Sequence, residues 1–596
     1  MAEEQVVGED WQNLTIPQVL GGIRLNTNSE SMELNQFLQL NNMLLEKGNI
    51  RKDTGYADFA DVPGGAPGTF RNIHQHITAG GTAATFGISN LSFFVLANAG
   101  ANWHGVQLNG GGSTTTDVDV SGADTVIPVA ATTNFAANDT IALTLDDGSH
   151  HISTIASISA GVSITINDAL AGAGVVATSG NACIEIVTLA GTDDKHVFAL
   201  TVPWTSDLVF TNGIDVPYYY DPSAGDVKLV ANLPSSGNTI CESIVLFDSS
   251  LFLLRTTEGG TNYNNRVRWS DRADYTEWVT GEAGYVDMYD SADNIQNAAK
   301  LGPHLVVYRS KSITRGIAVN SAVKRFQWDT MVTAQGMISP AGFADLGDEH
   351  LVAGQNKLYR YKGGFDVTEI GESVEDLLYG VEAEMAEDQG HRMFCVYLDD
   401  KNDVLIFYQT GAGSYPNKCL RWHGDFGGVW TTREFEDPIQ GFGEAVDSTA
   451  FTWNDLVDTW ADQTWKWSSS AIVGTSRTIL LCSSDGQVEE YDYITADDDG
   501  VAKTFTIETQ DFAHPNGYLR HDYLEIKGAG GEVTISYSTD EGVTFNTLET
   551  LTIGTTPMKV RIEKQFVGRS VRYKIEGSSS FELSWYNIRL SLETEY

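Results

Sequence analysis

Carboxylates supply most of the potential chemistry in this chain of 596 residues. Adjacent pairs stand at Asp193-Asp194, Asp399-Asp400 and Asp498-Asp499, and two carboxyls held a fixed distance apart across a sugar can cleave a glycosidic bond. Adjacency in sequence does not set that distance, so no pair is assigned a catalytic role. His74 and His76 alternate on one face of an extended segment, and His150-His151 falls at a turn. Neither has Cys or carboxylate partners at a recognisable metal spacing, so both pairs read as surface histidines. The five cysteines, Cys183, Cys241, Cys395, Cys419 and Cys482, are odd in number and widely spaced without a C-x-x-C, which argues against a disulfide framework and a zinc site. They read as buried thiols in strands. Phosphate-loop and nucleophile-elbow motifs are absent. No catalytic, cofactor-binding or metal-binding residue and no cofactor is assigned, and the expectation is a protein that is not an enzyme.

Two further groups could bind rather than react. Tyr218-Tyr219-Tyr220 and the set Trp453, Trp460, Trp465 and Trp467 could stack sugars or anchor a protein interface, although blade cores would absorb most aromatics. Asp455, Asp458 and Asp462 interleave the tryptophan set, so it is read as an exposed loop contacting a neighbouring subunit or fibre. Ser538 to Phe545 carries an Asp-box pattern, in which Asp540 would accept hydrogen bonds across a turn and Gly542 would permit an unusual backbone angle. That role is structural.

The elements that must position these residues are short strands. Gly is abundant at 59 residues against 14 Pro, and apolar residues make up 42%, which suits a sizeable core of strands joined by tight turns. The class is all-β. Blade-like pairs recur between about 61 and 495, including Ser243–Phe247 with Leu251–Leu254, Val404–Tyr408 and Thr478–Cys482, and predict a β-propeller of six to eight blades, with seven expected. Residues 114–180 lack Trp and Tyr and alternate in short apolar runs, predicting a small β-barrel or sandwich inserted between 61–113 and 181–495. Residues 1–60 are read as an arm and first hairpin, and 496–596 as a C-terminal β-sandwich. One helix is expected after a Ser373 cap, with Val374, Leu377, Leu378, Val381 and Met385 on one face.

Charge narrows the function. With 37 basic and 79 acidic side chains the net charge is −42, so binding nucleic acid by phosphate neutralisation is disfavoured. A channel that lets DNA slide would use such repulsion, but simple solubility would also account for it. The acidic start, Met1 to Gln5, has no apolar signal core, and no apolar run reaches membrane-spanning length. Synthesis in a cytoplasm is expected.

Several stretches point to one family. Val209 to Asp215 contains Asn212-Gly213, and Arg266-Val267-Arg268-Trp269-Ser270-Asp271 is followed by Asp274-Tyr275-Thr276-Glu277-Trp278. Leu305 to Arg309, Gly336 to Pro340, Leu351 to Gly354 and Leu358 to Gly363 follow, and near the start Gly21 to Leu25 leads to Gly48 to Gly55. In this order they resemble the tail nozzle of short-tailed phages, also called the packaged-DNA stabilisation or tail tubular B-type protein. The resemblance implies a virion tail component assembled in a bacterial cytoplasm. It further implies a propeller repeated as a homo-oligomeric ring, expected to be a hexamer, that meets the tail adaptor and tail fibres or spikes. Genomic DNA would pass through the lumen without specific binding. The rival is a virion or surface propeller that binds or cleaves glycans.

Overall fold

A computed structural model describes residues 11–593 except 79–82, 98–101, 320–323, 381–382, 412, 414, 448–475, 492–496 and 515–516. The chain is a seven-bladed β-propeller carrying an inserted barrel and a terminal sandwich. Each blade is an antiparallel meander. The first runs Phe70–Ile77, Ala83–Ser89, Phe93–Ala97 and Asn102–Gly105, and the second runs from Phe198–Thr201 to Asp226–Leu229, edged by Gln107–Leu108 in parallel. The third to sixth open with Thr239–Phe247, Ile295–Leu301, Phe343–Asp345 and Phe394–Leu398. The meanders form because apolar side chains alternate along each strand and short polar turns reverse it, as at Asn212-Gly213, where φ of Gly213 is +74°.

The seventh blade joins the two halves of the chain. Ile439–Asp447, Ser476–Ser483 and Val488–Tyr491 come from the C-terminal side, and Tyr56–Asp58 from near the start supplies the outer strand. Its inner strand meets that of the first blade in parallel at Phe442 and Asn72. The approach is close: a Cβ on Gly441 would lie 2.1 Å from the Arg71 carbonyl oxygen, and one on Gly443 would lie 2.2 Å from that of Ile73. Only glycine fits there.

Strands between Ser113–Thr115 and Ala182–Glu185 form a six-stranded sheet that closes on itself where Thr116 bridges Val129. Val120, Ile141, Ile155, Ile164 and Cys183 fill this barrel. Its other face is not free, since Ala142, Ile152 and Ile186 pack with Phe94 and Trp103 of the first blade.

Residues 11–52, expected as an arm and hairpin, complete the C-terminal sandwich. Trp11–Ile16 pairs with Phe581–Glu593, Phe37–Asn41 with Phe505–Thr509, and Asn49–Lys52 with Phe581–Glu593. Phe37–Asn41 also bridges Thr432 on the outer strand of the sixth blade, so one sheet runs from propeller into sandwich. Exposed alternating strands leave unpaired edges, and pairing removes them. The expected long helix is one turn, Glu375–Leu378. Ser373 makes no cap, Tyr379 is extended, and Gly380 has φ +112°. Val381 lies outside the described residues.

A buried ion network locks these parts together. Asp53 receives Arg433 at 3.1 Å, Arg421 at 3.4 Å and the Tyr491 hydroxyl at 3.0 Å. Arg421 also meets Asp403, while Arg433 and Lys503 meet Asp498. Three carboxylates thus face three bases. Burial alone would raise the Asp53 carboxyl, but Arg433, Arg421 and Lys503 hold it far below the usual carboxylate range. Burial beside Arg433 brings Lys503 down to about 8. Asp498, at the start of the C-terminal 496–596 unit, therefore contributes to the join.

Candidate functional site

An open groove of about 840 Å³ lies between the outer parts of the third and fourth blades. Trp269, Tyr285, Phe326 and Trp328 line it, and Asp248, Arg272, Glu282 and Arg325 form its charged part. A second groove of about 780 Å³ shares Val286 and Trp328 and adds Tyr289, Arg315 and Phe365. Tyr289 and Phe365 are 73% and 72% exposed, so the two grooves set aromatic surface beside charged groups.

Backbone order in the Arg266 to Trp278 stretch builds this wall. Arg266 and Arg268 alternate with Val267 on the third strand of the blade, which puts both guanidiniums on one side. Arg266 grips Asp287 at 2.7 and 2.8 Å, and Arg268 grips Glu258 at 2.9 and 2.9 Å. The Arg266 guanidinium also stacks 3.6 Å from the Tyr263 ring centre and 4.1 Å from that of Tyr285. Trp269 turns to the other side, donates to the Glu282 carbonyl at 2.9 Å and packs edge-on to Phe326 at 5.1 Å. Asp271 accepts from the Glu282 amide at 2.8 Å, which ties down the loop. Beyond it, Tyr275 donates to Asp207 of the second blade at 2.6 Å and Trp278 is fully buried.

Four of the charged side chains of the groove are already engaged with one another. Arg272 meets Asp248 at 3.0 Å and Glu282 at 3.2 Å, and Arg325 meets the same two acids at 3.4 Å. In the second groove, burial opposes ionisation of Asp290, but its bonds to Thr330 and Arg309 keep it below the ordinary carboxylate range. Paired carboxylates of this kind orient a ligand more readily than they donate protons to it. The chemistry offered is stacking and hydrogen bonding.

A different arrangement closes one mouth of the propeller axis. Arg71 and Arg392 bind Asp193 and Asp194 at 2.8 and 2.6 Å, and both guanidiniums stand over Tyr415, 5.4 and 5.2 Å from its ring centre. Across the ring, His196 reaches the Ser339 hydroxyl at 3.1 Å and the His391 carbonyl at 3.0 Å. Burial holds His196 down to about 4, so it is neutral at pH 7. A space of about 10 Å³ remains between these groups.

The residues singled out by sequence are dispersed. Asp193 and Asp194 serve this plug, Asp498 serves the ion network, and Asp399-Asp400 lies at the turn after Phe394–Leu398. His74 and His76 are not surface residues: both ring edges meet the Thr201 hydroxyl, at 2.9 and 3.0 Å, between the first two blades. Burial brings His74 down to about 4. His150 opens a strand and stacks on His104 at 3.9 Å. Asp540 accepts from the Thr544 amide at 2.9 Å, and Ser538 accepts from that of Gly542, so the Asp-box pins a sandwich hairpin. Tyr218–Asp221 is the third strand of the second blade, with its tyrosines half-buried. All five cysteines are free thiols, four buried and Cys395 partly so. The set Trp453, Trp460, Trp465 and Trp467 lies outside the described residues. The groove leaves no local sequence signal, since Trp328 is far from Trp269 in sequence and the two line one groove only when the third and fourth blades pack.

No family model matches the chain, and no curated protein does. Among solved structures, PorZ of Porphyromonas gingivalis is 10% identical over 76% of this chain and 42% of its own, with a TM-score of 0.28. The chain thus spans less than half of PorZ. The Cps50 (Swd1) β-propeller domain of Myceliophteria thermophila is 10% identical over 59% of this chain and 96% of its own, TM-score 0.26. An exo-beta-1,3-galactanase from Phanerochaete chrysosporium, solved with galactose, is 9% identical over 86% of this chain and 100% of its own, TM-score 0.22. Scores this low carry no argument about activity.

Proposed function

We propose that this chain is a subunit of a short-tailed phage tail nozzle, a ring that extends the DNA exit channel and retains packaged DNA until infection. The observation that carries this reading is the ordered set of family-like stretches. The parts of that set that do the joining agree with an architectural role: Asp53 anchors the ion network, Arg266 and Arg268 brace the third blade, and Tyr275 ties it to the second. The plugged propeller axis means that DNA would pass through the centre of the ring, not through any single propeller. A net charge of −42 per subunit would keep phosphates from adhering there. Adaptor and fibres or spikes are the expected neighbours. Cryo-electron microscopy of particles containing the chain tests this. Propeller density ringed around DNA at the tail is expected, and density only at peripheral spikes overturns it.

The groove between the third and fourth blades favours a second reading, glycan binding, because Tyr285 and Trp328 offer aromatic surface on which sugars stack. A glycan array with the purified chain separates the two. Saturable binding lost in Trp328→Ala would support the second reading, whereas an array without signal would leave the groove to a protein neighbour.

A further inference from the structure

The seventh blade contains a second cluster of acids that neither the groove nor the ion network uses. Asp58 on the N-terminal closing strand stands directly opposite Glu489 on Val488–Tyr491. Like charges in that register repel. Asp499 comes beside them from the turn leading to the sandwich, where its amide donates to the Tyr56 carbonyl at 2.8 Å. One carboxylate oxygen from each of the three lies within 4.8 Å of the others.

Glu489 makes this more than an acidic surface patch. Its side chain is 1% exposed, and its buried Oε2 has no hydrogen-bond partner. A buried carboxylate oxygen without a donor costs free energy unless something positive meets it. After burial, the strongest influences on Glu489 are four more carboxylates, Asp58, Asp499, Asp485 and Asp437, and together they push it up to about 8. Asp58 and Asp499 are exposed, which leaves the cluster open to solvent on one side.

We propose that Asp58, Glu489 and Asp499 bind a hard divalent cation, with calcium the best match to an all-oxygen carboxylate set that keeps water on its open side. The ion clamps three parts of the fold: the N-terminal strand that closes the propeller, the Val488–Tyr491 strand of the seventh blade, and the start of the sandwich. Bound calcium replaces the repulsion between Asp58 and Glu489 with shared attraction, so ring closure becomes stronger when the metal is present.

The test uses the full-length chain, stripped with a chelator and titrated with calcium at constant 0.1 M potassium chloride. Calorimetry is expected to detect one saturable site with a Kd of about 10–1,000 µM, and the melting temperature is expected to rise on saturation. Glu489→Gln should abolish the site and, metal-free, melt no lower than the parent, because the buried Oε2 it replaces has no hydrogen bond to lose. Asp58→Asn, at the exposed rim where folding is not at stake, should weaken binding ~10-fold or more, since affinity at oxygen sites follows ligand charge. An unchanged calcium titration in Asp58→Asn would mean diffuse binding to the acidic surface and overturn the proposal, as would a parent chain with no saturable site.

Discussion

Asp53 is the residue on which the buried ion network turns. Its carboxylate is fully buried between two guanidiniums, so Asp53→Ala leaves Arg421 and Arg433 partly unpaired and should cost roughly 3–5 kcal/mol. Chemical denaturation of parent and variant measures this. Because the folded carboxyl is held far below its unfolded value, the stabilisation is present above about pH 4 and is lost as pH falls below it. The melting temperature of the parent should therefore drop steeply below pH 4, and that of Asp53→Asn should drop less. At Gly443 the argument is steric. Gly443→Ala puts a methyl group against the Ile73 carbonyl, where backbone and not a flexible side chain must give way, and should destabilise by ~3 kcal/mol or more. A melting temperature within a degree of the parent would contradict that account.

Joints between elements carry the next level of organisation. The loop from Asp271 to Trp278 belongs to the third blade but is fastened to the second through the Tyr275 hydroxyl on buried Asp207. Tyr275→Phe removes the donor and leaves the carboxylate short of a partner, at a cost of about 1–3 kcal/mol. Hydrogen exchange should then quicken in residues 271–278 and spare the sandwich. The inserted barrel is fastened similarly, by Ile152 and Ile186 against Trp103 and Phe94. Ile152→Ala should cost roughly 2–5 kcal/mol. If the barrel were a loosely tethered decoration, the same change would leave propeller unfolding untouched.

At the scale of the whole molecule, charge bears on the proposed ring. Copies carrying −42 each would repel when they approach, and salt screens that repulsion over about 10 Å at 0.1 M. Ring formation by the purified chain should therefore increase as sodium chloride rises from about 0.02 to 0.3 M, as read by sedimentation velocity. Association that weakens with salt would point instead to attractive pairs between subunits.

The sequence alone determined the fold class, because alternating apolar residues and turn-forming Gly, Asn and Asp are local signals that need no partner to be read. The inserted module and the terminal sandwich strands were legible for the same reason. Its helix expectation failed because a periodic face from Val374 to Met385 does not show that the backbone turns extended at Tyr379, just before Gly380 with its positive φ. Only the tertiary structure decided where residues 11–58 belong, since a strand's edge partner lies hundreds of positions away and leaves no trace in local pattern. The same holds for the sites. Asp58, Glu489 and Asp499, like Trp269 and Trp328, become neighbours only when the blades close, and chain closure, not sequence proximity, sets the distances on which chemistry depends.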